Sequence, residues 1–298
     1  MITIPELLQK KKRKEKIVML TAYDYPLAKL VEQAGVDMIL VGDSGGMVQL
    51  GYTTTIPVTM GEMLTMVKAV RRGAPRTFII ADLPFLSYQV SARQAVRNAG
   101  RLVKEGGADA VKLEGGVRMI DRVRAITDAG IAVQGHIGLT PQNAVQLGGF
   151  RVQGKTPDAA KALIEDAMAL QGAGIFSLIL EAIPVTLANF ITAKIAVPTI
   201  GTGSGAGCDG QNLITPDMLG QYDVFCPKYV KRYADVSAVI SDALKRYKEE
   251  VCAAVFPGPE HTYSVKDETF FTQLFSDMEA DALDHAPDEA VLLGQTAS

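Results

Sequence analysis

The stretch AGVDMILVGDS, Ala34–Ser44, decides the fold, because its phrase recurs along the chain. GGADAVKLEGG starts at Gly106, AGIAVQGHIG at Ala129 and AGIFSLILEAIP at Ala173. Each reads as a helix ended by a glycine, then a short apolar strand, then a polar residue. A glycine in the left-handed region followed at once by a strand is the expected helix-to-strand turn. Working outward, strands are expected at 17–20, 38–41, 77–81, 110–113, 131–134, 176–180, 197–201 and 222–225. They alternate little in polarity, as parallel strands buried on both faces do. Helical patterns fill 25–33, 60–71, 92–104, 120–128, 157–171, 185–192 and 236–249, and 215–219 has room for one turn. Eight βα units in about 250 residues predict an α/β fold, a (β/α)8 TIM barrel. A doubly wound sheet usually carries G-x-G-x-x-G after its first strand, and none is present.

The 298 residues give a single catalytic domain over 1–265 and an acidic tail over 266–298. Residues 267–298 carry eight acids and no Lys or Arg, so a mildly basic body lies behind the net charge of −3. The tail is expected to form one short amphipathic turn against the body around Phe270–Phe275 and otherwise to be disordered. The run KKKRKEK, Lys10–Lys16, reads as a solvated lead into the first strand. With no nucleic-acid motif to support it, a nucleic-acid partner is not expected. No apolar run reaches the ~18 residues of a membrane span, and the N-terminus lacks a secretory signal. Cys208, Cys226 and Cys252 form no C-x-x-C pair, which excludes a zinc knuckle and favours a reduced, cytoplasmic setting.

Polar residues follow the strands in order: Thr21 and Tyr23, Asp43 and Ser44, Asp82, Lys112 and Glu114, His136, Glu181, and GTGSGAGCDG, Gly201–Gly210. A barrel brings these positions together at its C-terminal mouth. Taken singly, each has a plainer use: Asp43 or Asp82 as a helix cap, Lys112 and Glu114 as an ion pair, His136 in the core, Glu181 at an edge. Their coincidence at one end favours chemistry. Two carboxylates on adjacent strands suit Mg²⁺, which takes one or two carboxylates with waters and substrate oxygens. Glu114 is placed to hold a metal-bound water. Glu181 ends an apolar run, which favours its protonated form and proton transfer near neutral pH. The glycine-rich loop suits either phosphate or the approach of a bulky ligand.

Ten blocks resemble one family in order and spacing: TAYDYPLAKL (Thr21–Leu30), ILVGDSGGMV (Ile39–Val48), GYTTTIPVT (Gly51–Thr59), ADLPFLSYQ (Ala81–Gln89), AVKLEGG (Ala110–Gly116), GHIGLTPQ (Gly135–Gln142), QLGGFRVQG (Gln146–Gly154), LEAIP (Leu180–Pro184), CDGQ (Cys208–Gln211) and PKYVKRYAD (Pro227–Asp235). They are similar to the 3-methyl-2-oxobutanoate (ketopantoate) hydroxymethyltransferases, (β/α)8 enzymes of pantothenate biosynthesis. The resemblance implies transfer of the one-carbon unit of 5,10-methylenetetrahydrofolate to 3-methyl-2-oxobutanoate, giving 2-dehydropantoate through a Mg²⁺-stabilised enolate. It implies Asp43 and Asp82 as metal ligands with Glu114 beside the metal. It places Asp43, Ser44, Asp82, Lys112 and His136 at the oxo acid and makes Glu181 the acid/base group. It also implies a homodecamer. The chain departs from the family pattern at Gly45, Thr202, Ser204, Ala182 and Ile183, and Gly45 is expected to loosen the metal loop. The alternatives are a Mg²⁺-enolate lyase of the phosphoenolpyruvate mutase and isocitrate lyase group, or an inactive metabolite-binding barrel. The K-x-C-G-H loop of those lyases is absent, and the complete charged set argues against lost catalysis.

Overall fold

A computed structural model describes residues 1–284, with only the backbone for 281–284. The elements run α1 (Ile4–Arg13), β1 (Ile17–Thr21), α2 (Tyr25–Gln33), β2 (Met38–Val41), α3 (Gly45–Val48), α4 (Met60–Gly73), β3 (Phe78–Asp82), α5 (Ala92–Lys104), β4 (Ala110–Glu114) and α6 (Ile120–Asp128). They continue β5 (Ala132–Gly138), α7 (Pro157–Gly172), β6 (Ser177–Glu181), α8 (Val185–Lys194), β7 (Thr199–Thr202), β8 (Gly210–Leu213), α9 (Thr215–Met218), α10 (Val236–Cys252) and α11 (Thr269–Asp284). The eight strands close in order into a parallel barrel, with β1 paired to β8. The four recurring junctions behave as expected: Gly35, Gly107, Gly130 and Gly174 all have φ between 75° and 97°, where only glycine is unstrained.

The strands look uniformly apolar because both of their faces are buried in different cores. Alternate residues Ile17, Met19, Met38, Leu40, Phe78 and Ile80 point into the barrel. The intervening Ile39, Val41, Ile79, Ala81, Val111 and Leu113 pack against the helical shell. The period of two then carries the inward face to the mouth: Phe78–Ile80–Asp82, Ala110–Lys112–Glu114, Gln134–His136 and Ile179–Glu181. The charged residues therefore form the upper layer of a packed barrel whose lower layers are mostly apolar, with a buried hydrogen bond from Gln134 Nε2 to Ser177 Oγ among them.

Of three local expectations, one is refined and two are corrected. The run at Lys10–Lys16 leads into β1 with Lys12–Lys16 exposed, as expected, but Lys10 and Lys11 are half-buried. It belongs largely to α1, which starts with a capping box between Thr3 and Glu6. Leu7 of that helix, 1% exposed, packs with the interior barrel cluster. Lys10 Nζ pairs with Asp37 at 2.6 Å and Lys11 Nζ with Asp209 at 2.8 Å. The eighth strand is Gly210–Leu213, not 222–225, which is loop. A Cβ on Gly210 would lie 2.5 Å from the Ile17 carbonyl oxygen, and Asn212 Nδ2 donates to Thr202 Oγ1 inside the barrel. A strand with glycine at a close approach and a polar inward residue has no apolar signature. The glycine-rich segment after β7 does not wall the mouth. Ser204 is fully buried, with its hydroxyl on the Leu180 carbonyl, and Lys16 Nζ bonds to the carbonyls of Ala206 and Cys208.

The chain separates into two compact units, Met1–Ser237 and a second beginning at Ala238. The expected body of 1–265 thus spans the first unit and the opening helix of the second. In the second unit Phe256 packs edge-on with Tyr247. The tail segment around Phe270 forms α11, a helix of 16 residues, rather than a single turn. The disorder expected further along concerns residues 285–298, which lie outside the described residues. No described helix is long and apolar enough to cross a membrane.

Candidate active site

Every charged residue singled out in the sequence arrives at the mouth. Asp43, Asp82, Lys112, Glu114 and His136 are each at most 3% exposed, and Glu181 is only half-buried. Strand register sets their order, with Asp82 beside Lys112 and Glu114 beside His136. Lys112 Nζ lies 3.0 Å from Asp82 Oδ2 and 3.6 Å from Glu114 Oε1, and 3.3 Å from His136 Nδ1. His136 Nε2 lies 3.2 Å from Glu181 Oε2, an ion-pair distance set off the hydrogen-bond direction. Asp82, Lys112, His136 and Glu181 thus form one unbroken line across β3 to β6. Asp43 joins it through its backbone N–H, which donates to Asp82 Oδ2 at 3.0 Å. Ser44 stands at the edge of this group, hydrogen-bonded to the Tyr23 hydroxyl at 2.8 Å.

Burial sets the electrostatics. Burial, and then the Asp82 charge beside it, push the Asp43 carboxyl well above the usual carboxylate range. Burial also raises Asp82, against the opposing pull of Lys112. Burial works against ionised Glu114, but Lys112 and His136 outweigh it and hold this carboxyl low. Burial alone would discharge Lys112, yet Asp82, Glu114 and Asp43 together keep it charged with a raised pKa. Burial and the Lys112 charge oppose protonation of His136, but Glu114 and Glu181 outweigh them and lift its pKa to about 9. Lys112 can donate to Nδ1 only when that nitrogen is bare, so a neutral His136 carries its proton on Nε2, facing Glu181. Glu181 has apolar neighbours in the cavity it lines, among them Leu139 and Ile214, and in addition the His136 imidazole 3.2 Å away.

Gln142 escaped the sequence reading. It is 4% exposed and ties the site together. Its Nε2 donates to Asp43 Oδ2 at 2.8 Å and to the Leu83 carbonyl at 3.0 Å, and its backbone N–H donates to Glu114 Oε2 at 3.0 Å. Its Oε1 accepts from the buried Tyr88 hydroxyl at 2.8 Å. Its only signal is its place, six residues after His136 in GHIGLTPQ. Gly45 leaves no loose spot, because a Cβ there would lie 2.6 Å from the Tyr23 ring and 2.8 Å from Met66 Sδ. The tyrosine ring occupies the room a larger residue would need.

The donor set has the chemistry of a cation site. Asp82 Oδ1 and Glu114 Oε1 are buried with no hydrogen-bond partner. Two neighbouring buried carboxylates of raised pKa are what a hard dication relieves. Among the described residues no group of three or more His, Cys, Asp or Glu side chains is arranged to hold a metal ion. Mg²⁺ needs only one or two protein carboxylates, because water and substrate oxygens complete its shell. The charged residues line an inner chamber of about 60 Å³. Ser44, Pro141, Glu181, Ile214 and Tyr229 are shared between it and an outer cavity of about 230 Å³.

The barrel and its mouth place the chain in a broad class of fold. It is similar to phosphonopyruvate hydrolase, solved as a complex with oxalate and Mg++, at 13% identity and a TM-score of 0.56, covering 96% of this chain and 99% of that one. It is likewise similar to 2,3-dimethylmalate lyase, of the PEP mutase/isocitrate lyase superfamily, at 15% identity and a TM-score of 0.54, covering 95% and 99%. These likenesses establish the fold. The family model described as ketopantoate hydroxymethyltransferase matches residues 1–259. The chain is 55% identical over 267 residues to a 3-methyl-2-oxobutanoate hydroxymethyltransferase of Heliobacterium modesticaldum, covering 90% of this chain and 97% of the relative. It is 56% identical over 262 residues to that of Moorella thermoacetica, covering 88% and 97%. The chain belongs to the ketopantoate hydroxymethyltransferase family, and its members at this identity are transferases.

Proposed function

We propose that this protein transfers the one-carbon unit of 5,10-methylenetetrahydrofolate to 3-methyl-2-oxobutanoate, with water, giving 2-dehydropantoate and tetrahydrofolate. The observation that carries the reading is the line Asp82–Lys112–His136–Glu181, which links a buried carboxylate pair to a carboxylate at the open edge of the mouth. Asp43 and Asp82 would hold Mg²⁺, with Glu114 close by. When bound, the cation supplies Lewis-acid stabilisation of the negative charge that develops on the keto oxygen. The Lys112 ammonium adds a second fixed positive charge to the same chamber. Ser44 and His136 contact the oxo acid. Glu181 takes the proton from C3, and the pair left by that C–H bond forms the new C–C bond to the one-carbon unit; both C–N bonds of that unit to folate break, water supplies the hydroxyl oxygen, and the three protons, one from C3 and two from water, end on N5, N10 and the new hydroxyl. His136, protonated on Nε2, orients the Glu181 carboxylate. Self-association as a homodecamer belongs to the same reading. It is supported by the exposed apolar side chains of α10, such as Val239, Leu244 and Tyr247. A cytoplasmic setting is supported by three free cysteines.

Purified protein supplied with both substrates and Mg²⁺ is expected to form 2-dehydropantoate. EDTA is expected to abolish turnover and Mg²⁺ to restore it; full activity of metal-stripped protein would overturn the cation assignment. Gln142→Ala removes the donor to Asp43 and strands the Tyr88 hydroxyl. Loss of a partner orienting a ligand costs about 10- to 100-fold in metal affinity, and the buried groups left unsatisfied cost ~1–3 kcal/mol of stability. A Mg²⁺ titration and a thermal melt of that variant check both, and wild-type affinity would remove Gln142 from the cation site.

A further inference from the structure

The outer cavity holds one buried carboxylate that the chemistry above leaves unused. Asp217, in the four-residue α9, is 4% exposed and lines that cavity. Its Oδ1 is buried with no hydrogen-bond partner. Among the described residues it forms no ion pair within 4 Å, and the charge that reaches it is that of Arg232. Burial pushes its pKa up to about 6, so it is largely ionised at neutral pH despite its setting. An ionised carboxylate kept buried and unpaired is costly, and such groups are expected to meet a partner.

The rest of the cavity says what that partner looks like. Phe150 and Tyr222 supply flat apolar wall, while Arg151 and Lys228 stand exposed at the rim. The chamber therefore offers a deep acceptor, aromatic sides and an outer positive edge. Its complement is a flat heterocycle with adjacent N–H donors at one end and an anionic tail at the other. A carboxylate accepts two parallel N–H bonds from planar amidine-like groups, and a ligand doing this at Asp217 has to open a path to the covered Oδ1.

We propose that Asp217 is a substrate-binding residue that accepts the N3–H and 2-amino protons of the pterin ring and so selects a 2-amino-4-oxopteridine as one-carbon donor. The inference rests on the reading that a reduced folate is the co-substrate. It assigns the pterin head to the Asp217 end of the cavity and the glutamate tail to Arg151 and Lys228.

The test measures binding of tetrahydrofolate and of its 2-desamino-2-methyl analogue to the full chain by calorimetry, in wild type and Asp217→Asn. Charge-assisted hydrogen bonds of this kind are worth roughly 10- to 100-fold in affinity. Wild type is expected to prefer tetrahydrofolate over the analogue by that factor. Asp217→Asn is expected to lose most of this preference and to raise the KM for 5,10-methylenetetrahydrofolate, leaving the oxo-acid KM within about twofold. Equal binding of the two ligands by wild type overturns the proposal, and that comparison needs no variant to fold. A variant that keeps the wild-type preference, or raises both KM values alike, also overturns it. Wild type that forms 2-dehydropantoate yet ignores the 2-amino group refutes Asp217 alone. Wild type that neither binds tetrahydrofolate nor turns over refutes the co-substrate reading with it.

Discussion

Asp82→Ala is expected to lower kcat/KM by ~10²–10⁴ and to weaken Mg²⁺ and oxo-acid binding together. Asp82 Oδ2 accepts the Asp43 N–H and pairs with Lys112 at 3.0 Å, so one side chain positions the loop carrying Asp43 and holds the buried ammonium. Removing it leaves Lys112 with Glu114 at 3.6 Å as its nearest carboxylate. Breaking a buried ion pair costs ~3–5 kcal/mol, through the partner left uncompensated; the same energy taken from transition-state binding is about 10²–10⁴ in rate. Calorimetric titration of the variant with Mg²⁺ and then with 3-methyl-2-oxobutanoate checks it. Oxo-acid binding as tight as wild type would separate the two sites that the account joins.

Glu181→Gln is expected to leave both affinities nearly intact and to lower kcat by ~10²–10⁴, the usual contribution of a general acid or base. Glu181 meets the buried group only through His136, at 3.2 Å, and touches neither Asp43 nor Asp82. It also faces the outer cavity, where the second substrate would arrive. A structural role predicts another pattern, with near-normal kcat and a melting point lowered by about 1 kcal/mol of stability. Steady-state kinetics and a melt on this one variant distinguish them, and near-wild-type kcat would remove Glu181 from proton transfer.

How much of this was legible depended on whether a residue's role left a local pattern. Asp43, Asp82, Glu114 and Glu181 end or follow apolar strands, and a closed barrel carries every such end to one mouth, so their convergence follows from topology. The His136 bridge does not follow from it: the contact from Lys112 to Glu181 depends on register and rotamer. β8 was missed because its inward positions are glycine and asparagine, so closure there leaves no hydrophobic period. α1 was missed because its charges mask a helix that buries only Leu7. Gln142 and Asp217 lie in loop and short-helix segments whose backbone path, not their composition, brings them inward. Asp217 in particular reads in sequence as an ordinary acid in a helix's first turn. The glycine-rich loop misled in the opposite direction, since its glycines serve close packing beneath Tyr229 and Val185 rather than ligand approach.

The proposed reaction stands on removal of the C3 proton of the oxo acid by Glu181 before any one-carbon unit is present. Hydrogen–deuterium exchange at C3 of 3-methyl-2-oxobutanoate, followed by NMR in D2O with Mg²⁺ and no folate, tests it most directly. Wild type is expected to catalyse the exchange and Glu181→Gln to slow it at least ~10²-fold; exchange at the wild-type rate in that variant would contradict proton removal by Glu181.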